Sequence, residues 1–231
     1  MKKNVMMRMA SCLLVAVLLT TCVISGTFAK YTTTADASDE ARVAKWGVEI
    51  TTDSDLGLFS ETYEIATATN AADNSAITNS VAVSSTGTNV VAPGTSGSVN
   101  FSISGTPEVA VNVKVEMTVN KDVKISKSTT GVELTEDYCP VVFTLTKDGT
   151  TDALATGTLT DIKTAMEELS ANYAPNTNLE ATYTLSWEWA FNGNNDIADT
   201  YLGNVAAGTV TDANVETGIE FNFTITVTQV D

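Results

Sequence analysis

Val109-Ala110-Val111-Asn112-Val113-Lys114-Val115-Glu116-Met117-Thr118-Val119 alternates without a break, with Val109, Val111, Val113, Val115, Met117 and Val119 on one side and Ala110, Asn112, Lys114, Glu116 and Thr118 on the other. Successive side chains of an extended strand point to opposite faces, so period two over this length predicts a strand with one dry and one wet face. The closing stretch repeats the pattern, with Ile219, Phe221, Phe223, Ile225 and Val227 opposite Glu220, Asn222, Thr224, Thr226 and Thr228. Its β-branched and aromatic residues suit a pleated, half-buried surface. Shorter strand candidates are Ala44 to Ile50, Ser80 to Ser84, Ser98 to Ser104, Val141 to Thr146 and Ala181 to Ala190. Amphipathic strands without long helices between them predict a mostly β protein built as an antiparallel sandwich, not a parallel α/β sheet.

One short inserted helix is expected, because Ile162, Ala165, Met166 and Leu169 fall at i, i+3, i+4 and i+7, with Thr160 or Asp161 as N-cap and Pro175 beyond the end. From Ala66 to Gly97 the chain is rich in Thr, Ala, Asn, Ser and Gly with a single acid, Asp73, and reads as a long loop or a weakly packed hairpin.

The first 29 residues have the three parts of a secretory signal. Lys2, Lys3 and Arg8 form a positive flank, Leu13 to Ile24 an apolar stretch, and Ser25-Gly26-Thr27-Phe28-Ala29 a small-residue exit. The apolar run from Met9 to Ile24 is shorter than the roughly 20 residues that cross a bilayer comfortably, which favours cleavage over anchoring. Thr20 and Thr21 before Cys22 stand where a lipoprotein signal needs small residues such as Ala or Gly. Residues 1–29 are thus expected to be a signal peptide and residues 30–231 one secreted domain, with 30–40 a flexible N-terminal segment. The membrane would be a partner only before cleavage.

Cleavage removes three of the twelve basic residues and none of the 28 acidic ones, so the net charge moves from −16 to −19, nine against 28. Nucleic acid is an unsuitable partner for such a surface. Cys12 and Cys22 leave with the signal, so Cys139 has no intramolecular partner; it reads as a small buried apolar residue or as a thiol open to intermolecular pairing.

The chain has no histidine, which removes the usual zinc motifs, the Ser-His-Asp and Cys-His nucleophiles and the commonest general base. Glu167-Glu168 on a helix flank and Asp196 and Asp199 in a polar turn do not frame a sugar cleft. No enzyme activity and no cofactor are expected. Asn192, Asn194, Asp196 and Asp199 offer oxygen ligands around a turn and form a weak calcium candidate, without the spacing and final Glu of an EF-hand; the same residues also serve as a plain turn after the Trp-rich strand. Trp187 and Trp189 are two apart and share a face, for core packing or as a binding platform. Asn100-Phe101-Ser102 and Asn222-Phe223-Thr224 match the glycosylation triplet but fall within strands.

The signal exit with Lys30-Tyr31-Thr32 after it, and then Ala41-Arg42-Val43-Ala44-Lys45-Trp46-Gly47-Val48, resembles the TasA/camelysin group of Gram-positive secreted proteins. Looser matches are Pro93-Gly94 before a strand, the stretch Ser104 to Ala110, Trp187-Glu188-Trp189, Asp199 to Asn204 and the ending Thr226 to Asp231, similar to a clostridial-type branch of that group. The resemblance implies cleavage between Ala29 and Lys30 by a dedicated, SipW-type signal peptidase, and a jelly-roll-like β-sandwich. It further implies an extracellular, biofilm-matrix fibre built by self-assembly with other copies or related matrix proteins. In that scheme Lys30, Tyr31, Thr32, Thr33 and Thr34 are the strand donated to a neighbour's open edge. The camelysin side implies a metal-dependent peptidase, which a chain without histidine has few ligands to support. A secreted adhesin or a monomeric matrix accessory would keep the fold and location without self-assembly.

Overall fold

The computed structural model describes residues 3–28, 42–52, 57–69, 76–192 and 195–230. It falls into two compact units, Met1–Val43 and Ala44–Asp231. The first holds helix α1, Lys3–Phe28, which carries the expected apolar stretch. Among the described residues no helix is long and apolar enough to cross a membrane.

The second unit is mostly β. Its strands are β1 Val48–Thr51, β2 Thr62–Thr69, β3 Ala76–Val83, β4 Ser96–Gly105, β5 Val111–Lys121, β6 Lys124–Ile125, β7 Val141–Lys147, β8 Ala155–Gly157, β9 Ala171–Tyr173, β10 Ala181–Trp189, β11 Val215–Glu216 and β12 Glu220–Gln229. Helices α2, Leu159–Glu167, and α3, Asp196–Ala206, are inserted among them. A five-stranded antiparallel sheet runs β1-β4-β10-β7-β8, and a three-stranded one runs β12-β5-β9. The pairs β2-β3 and β6-β11 stand apart from both.

The two larger sheets face each other across one core, as expected of an antiparallel sandwich. Phe101 of β4 meets Phe223 of β12 at 5.2 Å between ring centres, and Phe143 of β7 meets Phe221 at 6.4 Å. The long alternating stretch supplies the core row of β5: Val111, Val113, Val115 and Met117 are no more than 3% exposed. β12 lies beside it in a register that keeps the apolar faces together, Phe223 opposite Met117, Ile225 opposite Val115 and Val227 opposite Val113. Trp187 and Trp189, at 2% and 6% exposure, belong to the core, which leaves no platform for a ligand.

α2 forms where the apolar spacing predicted a helix, burying Ile162, Ala165 and Met166 against β5 and β8. Its start is corrected. Thr158, not Thr160 or Asp161, is the N-cap, and Asp161 reaches back to accept the Thr158 N–H at 2.8 Å and its hydroxyl at 2.9 Å. A carboxylate at the third helical position satisfies an N–H left free by the first turn. Leu169 lies beyond the helix and packs on the core from there.

The expectation of a single inserted helix is also corrected. α3 begins inside the stretch read as a turn, with Asn195 as N-cap and Asp196 and Asp199 in its first turn, where negative charge suits the helix dipole. The region between Ala66 and Gly97 contains most of the β2-β3 hairpin, the second of the two forms expected for it.

Candidate functional site

β12 is the longest strand to stand at the edge of either large sheet. β5 lies on one side of it, and among the described residues no strand lies on the other. The remaining edges of the two sheets are β1 with four residues and β8 and β9 with three each, against ten in β12. β5 cannot serve as an edge, because β9 pairs with it and Ser170 Oγ accepts the Val115 N–H at 2.9 Å.

The inward row of β12 is incompletely covered. Phe221, Phe223, Ile225 and Val227 pack on the core but remain only half-buried, whereas the residues opposite them on β5 from Val113 to Met117 are buried. Exposed strand edges in natural proteins are commonly blunted by lysine, proline or inward-pointing charge. β12 carries none of these. Its single charged residue, Glu220, stands at its start, where Lys121 Nζ approaches at 3.4 Å and Asn120 Nδ2 donates at 3.2 Å. The result is a row of backbone donors and acceptors next to half-covered apolar side chains. An extended segment laid along it would gain hydrogen bonds and apolar burial together.

The chain enters and leaves this sandwich at one place. The Lys45 N–H donates to the Glu108 carboxylate at 2.9 Å, and the Glu108 N–H donates to the Lys45 carbonyl at 2.9 Å. Two residues on, Ala110 accepts the N–H of Val230 at 2.9 Å, just past the end of β12.

The predicted processing residues Ala29 and Lys30, and the predicted donor strand Lys30 to Thr34, lie outside the described residues, as does Asn194 of the calcium candidate. Of its other members, Asn192 sits in the turn after β10, Asp196 and Asp199 share the first turn of α3, and Asp199 accepts a hydrogen bond from the Tyr138 hydroxyl at 2.6 Å. Burial, and after it that bond, pushes the Tyr138 hydroxyl well above its ordinary range. Among the described residues no group of three or more Cys, Asp or Glu is arranged to hold a metal ion.

Cys139 is half-buried and lies two residues before β7. Burial, aided by Asp122 and Asp137, pushes its thiol up, which keeps it protonated and weakly nucleophilic.

A cavity of about 160 Å³ lies between α3 and the loop before β4, walled by Pro93, Val123, Trp189, Leu202 and Ala206. No sequence signal marks it, because its walls come from five separate stretches of chain. It has few polar groups with which to orient a ligand. No family model matches the chain, and no curated protein matches it.

Proposed function

We propose that this is an exported structural protein, a subunit of extracellular fibres that adds the N-terminal strand of one copy to the open β12 edge of the next. The observation that carries the reading is β12 itself, ten residues long, unblunted and backed by a half-covered apolar row. Removal of residues 1–29 between Ala29 and Lys30 by a SipW-type peptidase would free Lys30 to Thr34 as the donor, so assembly begins only outside the cell. The resemblance to the TasA/camelysin group supports the same reading and extends it to a jelly-roll-like topology and a place in a Gram-positive biofilm matrix.

The energetics suit repeated addition. Each new backbone hydrogen bond contributes about 0.5–1.5 kcal/mol net, and covering the apolar row adds roughly 25 cal/mol per Å². A head-to-tail contact that does not close on itself yields a filament. The charge of −19 opposes close approach of copies, so assembly should speed up as salt screens it.

The test is electron microscopy with size-exclusion chromatography on protein beginning at Lys30. Three comparisons accompany it: a form with an uncleaved tag, a form lacking Lys30 to Thr34, and Ile225→Lys, which places an inward charge on the edge. Filaments from the free N-terminus alone support the reading. Filaments that persist without Lys30 to Thr34, or in Ile225→Lys, refute strand donation to β12. Protein that never forms filaments under any condition belongs to the adhesin or accessory class.

A further inference from the structure

The turn that opens the β7-β8 connection carries the one Asp-Gly pair of the sequence, Asp148-Gly149. Asp148, Gly149 and Thr150 are all exposed. The Lys147 carbonyl accepts the Thr150 N–H at 3.1 Å, which closes a β-turn, and Gly149 supplies its left-handed residue at φ 78°. Asp148 Oδ1 accepts the N–H of Gly149, the residue directly after it, at 3.0 Å. A side-chain carboxyl is thereby held against the main-chain nitrogen with which it can close a five-membered ring.

Two features leave that ring free to form. Gly149 has no side chain to shield its nitrogen, and a Cβ placed there would meet nothing within 4 Å, so the carboxyl has room to turn its carbon toward the nitrogen. The exposed turn also admits the water that a later hydrolysis consumes. Asp122 offers the contrast. Its carboxylate too lies beside the N–H of the residue after it, but Asp122 is half-buried and that residue is Val123, branched at Cβ and 2% exposed. Holding reacting groups together speeds their reaction when they can also reach the reactive geometry. Asp148 has both the proximity and the room, and Asp122 has the proximity alone.

We propose that Asp148 is a self-modifying site that converts to isoaspartate through a cyclic imide with Gly149. The carboxylate takes a proton from solvent and the Gly149 nitrogen attacks Asp148 Cγ. An N–Cγ bond forms, and the amide proton and the carboxyl hydroxyl leave together as water. A second water then opens the ring and the borrowed proton returns to solvent. Breaking the new N–Cγ bond restores aspartate. Breaking instead the bond from Gly149 N to the Asp148 main-chain carbon leaves the chain running through Cβ and Cγ, with a free carboxylate where the peptide carbonyl stood. The main chain is then one atom longer. The Asp148 N–H stays tied to the Thr182 carbonyl at 2.8 Å, so the extra atom falls beyond that anchor and inside the Lys147–Thr150 closure. The turn loosens, and with it β8, the three-residue edge strand that it feeds. The site is independent of β12 and of strand donation.

The experiment ages the purified, folded chain in a warm, mildly acidic buffer and maps isoaspartate by digestion with electron-based fragmentation, which tells the lengthened link from the ordinary one at equal mass. Isoaspartate is expected at Asp148 at least about tenfold sooner than at Asp152, which is as exposed but followed by Ala153. A transient species lighter by one water should precede it, and Asp122 should stay unchanged. Asp148→Glu, which would have to close a larger ring, should lose the product. Asp148→Asn reaches the same imide by releasing ammonia and should give isoaspartate at the same position. Amide exchange at Thr150 should quicken as the converted fraction grows. No isoaspartate at Asp148, its appearance no sooner than at Asp152, or a product that persists in Asp148→Glu would overturn the proposal.

Discussion

Trp187 donates its indole N–H to the main-chain carbonyl of Leu58 at 2.9 Å, tying the last part of β10 to a segment 129 residues earlier. The residue paired with Trp187 on β4 is Gly97, and the bond depends on it. A Cβ at Gly97 would stand 2.7 Å from the indole nitrogen and collide with the Leu58 carbonyl oxygen, which is main chain and has little room to move.

Gly97→Ala should therefore push the Leu58 segment off the sheet and leave the buried indole N–H without its acceptor. The expected cost is about 2–4 kcal/mol, an unsatisfied buried donor plus displaced packing. Urea unfolding followed by tryptophan emission should show a lowered midpoint and redder native emission, and an unchanged midpoint would count against this geometry.

At the start of α2 two carboxylates respond to acid in opposite directions. Asp122 accepts the Leu159 N–H at 3.3 Å, and burial holds its carboxyl above the ordinary 3.8 despite the N–H groups of Leu159 and Val123 and the charge of Lys124. A raised carboxyl costs stability as pH rises from about that ordinary value through its folded one. Asp161 is held below 3.8 by the N–H and hydroxyl of Thr158, so its contribution is present above 3.8 and lost as pH falls through its folded value. Asp122→Asn keeps an acceptor for Leu159 and removes the charge. It should be more stable than the parent at neutral pH and lose that advantage well below 3.8, as read from unfolding midpoints across a pH series.

Cys139 should behave as a packing residue. In a background of Cys12→Ser and Cys22→Ser, its reaction with a thiol reagent near pH 8 is expected to be at least about tenfold slower folded than unfolded. Equal rates would mean an open, ionised thiol and would revive intermolecular pairing.

The sandwich was legible where alternation runs long. Val111 to Val119 and Phe221 to Val227 announce their buried faces because every second residue is apolar, and their pairing follows from matching those faces. β6, β8, β9 and β11 have two or three residues each, too few for any period to register. α3 hid behind an Asn/Gly/Asp run because only Ala198 and Leu202 of its residues are buried, an apolar stripe too thin to outweigh the turn signal. The status of β12 as an edge was not legible at all. Its alternation resembles that of β5, and what separates them is the presence of a third strand, which depends on residues 171–173 far away in sequence.

Lys45 and Val230 are anchored two residues apart on the connection between β4 and β5, and this has a mechanical consequence. Tension applied between the two ends of one chain acts at a single corner, where β12 can peel from β5 one hydrogen-bonded pair at a time. Tension applied instead between Lys45 and a strand lying along β12 loads many pairs at once, in shear. Under the proposed assembly the same domain would thus be weak when pulled by its own ends and strong when pulled through a strand added to β12.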